Sequence, residues 1–325
     1  MTGNSPPVIV CAADNGYAMP LAVMLRSMAE QLRRYPQVAV WVIDGGISAK
    51  NKKKVLASLP PDKLVVTWVK PNLNDLKGMP VFGHVSLASY YRLLLGNLLP
   101  SKLTKVIYLD VDLLVLGDIG ELWDTDLSQK TIAAVAQDRL TAGEMLDESI
   151  VRHYHMASDR PYFNAGVLVI DLPRWRDIRI HEKALEFVRD YAPLIRFWDQ
   201  DILNCILRDE WTSFDEKWNR KLHHLLPLSH VEMDAYQSAG GIIHFATAIK
   251  PWSWDWGQDR AVPVYYFQWL DRTQWKGWRP KKTWINHRTI RLTIGNKYWY
   301  GMLVRKVPVV GRIWAKCRKP APDPL

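Results

Sequence analysis

The stretch KVIYLDVDLLVLGDIGELWDTDL, residues 105–127, decides the fold class of this chain. Its apolar run at residues 106–109 predicts a buried strand, and Asp110 and Asp112 follow that run directly. Because side chains alternate along a strand, we expect both carboxylates to point to one side of a regular strand. Two such carboxylates repel each other unless a cation lies between them, and a hard divalent cation suits this place. The simpler alternative is that one aspartate caps the next turn while the other is solvated.

Strand and helix patterns alternate on the N-terminal side of this stretch. Apolar runs at residues 8–13, 38–43 and 64–69 predict strands, and an apolar stripe with helical period over residues 21–32 predicts a helix between the first two. A second helical stripe follows at residues 87–98. This alternation predicts an α/β fold with a Rossmann-like, mixed but mostly parallel sheet that is flanked by helices.

The patterns continue on the C-terminal side. Short apolar runs at residues 133–137, 163–172 and 242–245 predict further strands, and helices are expected over residues 174–191 and 199–207. Ligands of open α/β sheets bind outside the carboxyl ends of the strands. The residues that follow these strands are therefore the first candidates for a functional site.

Four other residues carry chemistry that suits such a site, and each has a simpler explanation. His244 is either a core histidine or a third metal ligand, since imidazole binds borderline cations such as Mn²⁺. Lys250 is either a solvated lysine or a point charge for a phosphate. Asp14 either makes a turn after the first strand or meets a nucleotide. Arg92 either pairs with a diphosphate or carboxylate or extends from its helix into solvent.

The net charge of +10 is concentrated at the C-terminal end. Residues 272–325 hold 14 Lys and Arg but a single acidic residue, whereas residues 1–271 hold 29 basic and 32 acidic residues. The basic segment also carries five tryptophans, a combination that suits an anionic membrane surface. A solvated tail and a nucleic-acid-binding tail are the alternatives, and nucleic acid is the least favoured because no recognition motif accompanies the charge. We predict a body, residues 1–271, and a membrane-contacting basic appendage, residues 272–325.

The cysteines and apolar runs bear on the compartment. Cys11, Cys205 and Cys317 lie far apart and form no CxxC pair, so neither a disulfide framework nor a zinc ribbon is predicted. No stretch approaches 18 uninterrupted apolar residues, and the first residues lack the basic start of a secretory signal. The resulting expectation is a cytoplasmic protein with peripheral contact at the inner face of the membrane.

Six motifs occur in an order that resembles glycosyltransferase family 8, over roughly residues 8–255. They are AADNGYA (12–18), HVSLASYYRLLLGNLLP (84–100), KVIYLDVDLLVLGDIGELWDTDL (105–127), YFNAGVLVIDLPRWR (162–176), WDQDILN (198–204) and HFATAIKPW (244–252). The family includes bacterial lipopolysaccharide galactosyl- and glucosyltransferases and, more distantly, glycogenin. The resemblance implies a GT-A-type fold and a retaining, Mn²⁺-dependent hexosyltransferase, with Mg²⁺ as a second candidate ion. Its donor would be UDP-galactose or UDP-glucose, and its acceptor a saccharide or glycolipid.

The resemblance also implies roles residue by residue. The metal ligands match Asp110, Asp112 and His244. The residues matched to donor binding are Ala12, Ala13, Asp14, Tyr17, His84, Arg92, Asp110, Val111, Asp112 and Lys250, and the catalytic candidates around the sugar are Asp138, Asn164, Asp199 and Gln200. The family usually has a glycine just before the phosphate-binding lysine, where this chain reads Ala246-Thr247-Ala248.

Two routes to retention of configuration are compatible with these residues. A double displacement needs a nucleophile, for which Gln200 is the matching but chemically weak residue and Asp199 is the adjacent carboxylate. In a front-face route, the leaving phosphate assists the acceptor instead.

Other functions are weighed against the transferase. A glycogenin-like glucosyltransferase would need an acceptor tyrosine near the site. A sugar-nucleotide pyrophosphorylase is disfavoured because residues 8–20 contain one glycine, where that class needs a glycine-rich loop. A non-enzymatic module that binds anionic lipid or nucleic acid leaves the ordered motifs unexplained.

Overall fold

The computed structural model describes residues 5–81, 87–222, 228–246, 250–253 and 261–281, and for residues 138 and 139 the backbone alone. Its strands are β1 Val8–Ala13, β2 Val38–Asp44, β3 Leu64–Val69, β4 Lys105–Leu109, β5 Leu113–Val115, β6 Ile132–Thr141, β7 Pro161–Asp171, β8 Trp211–Ser213, β9 Arg220–Lys221 and β10 Ile242–His244. Its α-helices are α1 Ala18–Gln31, α2 Ala49–Ala57, α3 Leu95–Leu98, α4 Ile119–Trp123, α5 Ala142–Met145, α6 Glu148–His153, α7 Leu172–Asp177, α8 Ile180–Tyr191, α9 Trp198–Ile206, α10 His230–Ala239 and α11 Ala261–Leu270. Short 3₁₀ helices cover Asn15–Tyr17, Leu73–Leu76, Leu87–Leu94, Ala192–Leu194 and Glu216–Asn219. Every helix in the described ranges falls short of the length and apolarity that a membrane span requires.

The larger sheet has seven strands in the order β3-β2-β1-β4-β7-β6-β8. All of them pair in parallel except β7, which runs antiparallel to both of its neighbours. A smaller sheet has the order β5-β10-β9, and three residues separate its strand β5 from β4. The α/β class and the mixed, mostly parallel sheet predicted from the sequence are confirmed.

Strand β4 shows how the larger sheet is buried on both faces. Val106 and Tyr108 pack into the hydrophobic cluster on one face, together with residues of α8 and α9. Ile107 and Leu109 pack into the cluster on the other face, which α1 covers. All four side chains are buried, as the two-residue period of a strand between two helical layers requires.

Two predicted helices and one predicted strand differ from the structure. Leu87–Leu94 is a 3₁₀ helix that runs into α3, and apolar residues three apart share a face in either kind of helix, so the stripe does not separate them. The helix expected over residues 174–191 is two helices, α7 and α8, because Arg179 adopts a left-handed conformation between them with φ 60°. Strand β6 extends to Thr141, with register shifts against β7.

The start of the basic appendage packs against α1 and α2. Arg272 pairs with Glu30 at 2.6 Å, and Lys54 Nζ lies 4.1 Å from the centroid of the Trp275 ring. These contacts join the start of the appendage to the body. The predicted division of the chain into two parts stays a prediction, and residues 282–325 lie outside the described ranges.

Candidate active site

A cleft opens at the carboxyl ends of β1 and β4, where the two sheets meet. Thirteen of the fifteen residues predicted for the site line it, namely Ala12, Ala13, Asp14, Tyr17, Arg92, Asp110, Val111, Asp112, Asn164, Asp199, Gln200, His244 and Lys250. His84 lies outside the described residues, and the side chain of Asp138 is not described. The structure thus brings together every predicted site residue whose side chain it describes, whereas their individual roles stay predictions.

The acidic triplet lies in a bend, not in the regular strand that the sequence argument assumed. Strand β4 ends and β5 begins on either side of residues 110–112, which connect the larger sheet to the smaller one. The Asp110 N–H donates to the Gly166 carbonyl at 2.8 Å, and the Asp112 carbonyl accepts from the Phe245 N–H at 3.0 Å. These backbone bonds fix the bend, and both carboxylates face the cleft.

Asp110, Asp112 and His244 each offer one ligand atom, and these atoms lie within 4.8 Å of one another. His244 Nε2 lies 3.3 Å from Asp112 Oδ1 and 4.0 Å from Asp110 Oδ2. The imidazole is buried, whereas the Asp110 side chain is one-quarter exposed. Two carboxylates and an imidazole form a donor set that suits a divalent cation such as Mn²⁺.

Gly166 of β7 lets the backbone approach this cluster closely. A Cβ atom built at this position would overlap His244 Cε1 and would lie 2.8 Å from Asp110 Oδ2. The position has no left-handed φ, so close approach, and not backbone conformation, requires glycine here.

Arg92 is buried and joins two of the acidic side chains. Its Nη2 lies 2.6 Å from Asp110 Oδ1 and its Nε lies 2.9 Å from Asp199 Oδ2, while its guanidinium stacks over the Tyr108 ring at 4.5 Å from the centroid. Burial raises the pKa of Asp199 to about 7, because the charge of Arg92 offsets only part of the lost solvation. Of the two sequence alternatives for Arg92, the structure shows the buried pair with carboxylates.

Lys250 holds the other aspartate of the triplet. Its Nζ lies 2.5 Å from Asp112 Oδ2 and donates to the Phe245 carbonyl at 2.7 Å. Burial alone would raise the pKa of Asp112, but the ammonium group of Lys250 holds that pKa well below its usual range. Burial raises the pKa of Asp110. Asp112 is therefore the more firmly ionised of the two carboxylates.

Asp14 makes the turn that the sequence offered as one of its two alternatives, and its contact with a nucleotide stays a prediction. Its Oδ1 accepts from the N–H groups of Gly16 at 2.9 Å and Tyr17 at 3.1 Å, which makes the turn after β1. The same side chain lines the cleft, next to Tyr17, whose ring meets Trp252 edge-on at 6.3 Å between centroids. One end of the cleft thus combines a carboxylate with an aromatic ring.

Another part of the cleft lining, called the amide end below, is built from side-chain amides. Asn164 Nδ2 donates to Gln200 Oε1 at 2.9 Å, and the Ala165 N–H donates to the same oxygen at 3.2 Å. Asn164 Oδ1 accepts from the Gly166 N–H at 3.0 Å and from Asn219 Nδ2 at 2.9 Å. Asn219 Oδ1 in turn lies 2.8 Å from His244 Nδ1. Hydrogen bonds between amide side chains therefore connect Gln200 with the candidate metal-ligand cluster, which consists of Asp110, Asp112 and His244.

Sequence reasoning missed several residues of the site. They are Ala88, Ser89, Tyr108, Ala165, Gly166, Phe197, Trp198 and Ala246 in the lining, and Asn219 behind His244. Tyr108 was readable from the sequence, since it precedes Asp110 by two positions and the strand period favours a shared face. Nothing in the local sequence points to Asn219, because its partner His244 lies in β10, which begins 23 residues further along the chain.

The fold and this cleft define a GT-A-like glycosyltransferase domain, and comparisons with known proteins agree. The sequence model of "Glycosyl transferase family 8" matches residues 8–255, and the chain belongs to that family. General stress protein A of Bacillus subtilis is 29% identical over 277 residues, which cover 82% of this chain and 94% of that protein. Lipopolysaccharide 1,3-galactosyltransferase of Salmonella typhimurium is 30% identical over 207 residues, which cover 62% of this chain but 59% of that protein.

Among solved structures, the galactosyltransferase LgtC in complex with donor and acceptor sugar analogues superposes with a TM-score of 0.67. It is 27% identical, and the match covers 82% of this chain and 96% of that one. The predicted family and the GT-A-like fold are therefore confirmed. The general activity of the chain is glycosyl transfer.

Proposed function

We propose that this protein transfers galactose or glucose from a UDP-sugar to a saccharide or glycolipid acceptor, with retention of configuration and with help from Mn²⁺. The observation that carries the proposal is the convergence of Asp110, Asp112 and His244 with Lys250 in one cleft. The relatives point the same way, because lipopolysaccharide galactosyl- and glucosyltransferases are among them.

The donor diphosphate would lie against the ligand cluster and Lys250, which contact each other. Asp110, Asp112 and His244 would hold the cation, which when bound would offset the charge that develops on the departing diphosphate. Lys250 Nζ donates to Asp112 and to the Phe245 carbonyl, which leaves one of its three N–H donors for a phosphate. A dedicated proton donor to the leaving group is then not required.

The amide end of the cleft bears on the route to retention. Gln200 Oε1 already accepts two hydrogen bonds, which occupy both of its lone pairs and weaken it further as a nucleophile. Asp199 is buried against Arg92. These contacts favour the front-face route, in which the leaving phosphate assists the acceptor, over a covalent intermediate on Gln200.

Two aromatic side chains next to Asp199 and Gln200 in the sequence are consistent with a saccharide as the acceptor. Phe197 and Trp198 line the cleft next to Asp199 and Gln200, and the Phe197 side chain is exposed. The apolar C–H face of a pyranose ring packs well on such rings.

Binding of UDP and Mn²⁺ tests the proposal directly. We expect UDP with Mn²⁺ to raise the melting temperature more than either ligand alone, because the cation would offset the charge of the diphosphate. A ligand at 100 times its Kd stabilises the folded protein by about 2.7 kcal/mol. Differential scanning fluorimetry with and without EDTA measures this, with ADP as the matched nucleotide control. A protein that UDP and Mn²⁺ together leave unshifted would contradict the proposed donor.

We also propose that the basic appendage contacts anionic membranes. The composition of residues 272–325 supports this, and because Arg272, Trp275 and Arg279 contact the body, the test removes residues 282–325 alone. The truncated protein should lose co-sedimentation with phosphatidylglycerol vesicles at low salt and keep donor hydrolysis. Phosphatidylcholine vesicles are the control. Unchanged vesicle binding would contradict the proposal, and loss of RNA binding alone would favour nucleic acid.

A further inference from the structure

We propose that Asn219 is a positioning residue that ties the metal-ligand cluster to the amide end of the cleft. The inference rests on the proposed function, since it concerns how one buried amide orients two groups of that site. Asn219 is 2% exposed, and in the described structure its side chain makes hydrogen bonds to His244 and Asn164, both of which line the cleft.

The position of Asn219 depends on a close approach between two segments. Asn219 ends the 3₁₀ helix Glu216–Asn219, and β10, which carries His244, begins one residue after Gly241. A Cβ atom at Gly241 would overlap the Lys217 carbonyl, and Gly241 has φ 84°. Glycine at this place therefore lets the 3₁₀ helix lie against β10, within reach of the imidazole.

Backbone groups fix the direction of every hydrogen bond along this path. The Gly166 N–H can only donate, so the Asn164 atom that faces it is the oxygen. That same oxygen faces Asn219, so Asn219 must present its Nδ2 there and its Oδ1 to His244. The orientation of both amides thus follows from a main-chain donor.

A second backbone donor fixes the far end independently. The Ala165 N–H donates to Gln200 Oε1, so the Asn164 atom that faces this oxygen must be Nδ2. The two main-chain anchors agree on the orientation of Asn164. Along the path His244–Asn219–Asn164–Gln200, each hydrogen bond is therefore donated in the same direction, from His244 toward Gln200.

This direction of donation determines which nitrogen of His244 is free to bind. Because Asn219 presents an oxygen, His244 Nδ1 carries the proton and donates it. Nε2 keeps its lone pair and lies 3.3 Å from Asp112 Oδ1, on the side of the ligand cluster. A hydrogen bond behind a metal-binding histidine usually sets ring orientation in this way, and its loss lowers metal affinity about 10–100-fold.

The two hydrogen bonds of the Asn219 side chain, to His244 and to Asn164, can be tested separately. Asn219→Ala removes both hydrogen bonds. Asn219→Asp keeps an oxygen for His244 Nδ1–H but places a second oxygen against Asn164 Oδ1, which disrupts the connection to Gln200. A buried hydroxyl elsewhere gives the matched control, because Ser27 Oγ donates to the Met24 carbonyl and accepts from the Val115 N–H, and Ser27→Ala removes both bonds.

Two quantities are measured. The first is the Mn²⁺ affinity, from the electron paramagnetic resonance signal of free Mn²⁺, and the second is the pair of steady-state constants, kcat and KM, for the donor. For Asn219→Ala we expect the Mn²⁺ Kd to rise about 10–100-fold. For Asn219→Asp we expect a Kd within about 3-fold of wild type, since carboxylates serve as partners behind metal-binding histidines, with kcat lowered at least about 10-fold. Ser27→Ala should lower the melting temperature and leave Mn²⁺ affinity unchanged.

Each contrary result has one meaning. An Asn219→Ala protein that loses stability as Ser27→Ala does but keeps wild-type Mn²⁺ affinity would show a structural role alone and overturn the inference. If Asn219→Ala does not fold, Asn219→Asp decides, and an unchanged kcat overturns the inference. Wild-type protein that binds no Mn²⁺ would instead remove the proposed metal site on which the inference rests.

Discussion

Asp112→Asn is expected to lower the rate of hexose transfer by about 1,000-fold, an effect of the size found when a single charge-stabilising group is lost. Asp112 contacts both His244 Nε2 and Lys250 Nζ, so it links the candidate metal ligands to the lysine that we propose binds the donor phosphate. An asparagine keeps the shape and one oxygen for Lys250 but loses the charge that attracts a cation. The backbone bond from the Phe245 N–H to the residue 112 carbonyl stays, so the bend should persist.

Initial rates of transfer across a Mn²⁺ titration measure this effect, with the melting temperature as the check on folding. Asp190→Asn is the matched control, because Asp190 lies exposed on α8, does not line the cleft, and pairs with Arg189. The control should keep the wild-type rate. An Asp112→Asn protein with the same rate at the same Mn²⁺ concentration would refute the assignment of Asp112 to the site.

The strand pattern was predictable because it depends on local chemistry. The apolar run of β4 buries both of its faces, and such a run between turn sequences has few alternatives. The placement of Asp110 and Asp112 at the mouth of the sheet followed from this strand alone. Their geometry did not, since the bend at residues 110–112 is fixed by bonds to Gly166 and Phe245, which lie far away in the chain.

Residues with two plausible environments needed the tertiary structure. For Arg92, the sequence permitted an exposed guanidinium or a buried pair, and the two differ only in whether carboxylates face the helix. The structure places Asp110 and Asp199 on either side of Arg92, which compensates the burial of its charge. Asn219 is the stronger case, because its two partners come from β7 and β10 and no local pattern links them.

The charges of the cleft form one connected set. Arg92 bridges Asp110 and Asp199, and Lys250 pairs with Asp112. Each carboxylate of the acidic triplet therefore pairs with its own positively charged side chain, which lets two like charges lie close together with little access to solvent. A substitution in this set leaves a partner without its counter-charge, so effects on binding and on stability have to be measured separately.

Gly166→Ala adds one methyl group without changing any charge, and we expect it to raise the Mn²⁺ Kd and lower the transfer rate by about 100-fold each, the upper end of the effect of disturbing a ligand's support. The new Cβ would overlap His244 Cε1 and crowd Asp110 Oδ2. The backbone cannot retreat easily, because the Gly166 carbonyl accepts from the Asp110 N–H and its N–H donates to Asn164 Oδ1. The imidazole and the carboxylate must therefore move apart.

Gly96→Ala provides the comparison for the effect of alanine itself. Its Cβ would meet Arg176 Cγ at 3.2 Å, in a flexible side chain away from the cleft lining, so this variant should keep wild-type Mn²⁺ affinity. Electron paramagnetic resonance of free Mn²⁺ and the transfer rate are measured on both variants. If Gly166→Ala binds Mn²⁺ as tightly as Gly96→Ala does, then His244 and Asp110 are not ligands in the arrangement seen here. If it loses Mn²⁺ and keeps its melting temperature, the close approach of β7 is a requirement of the metal site and not of the fold.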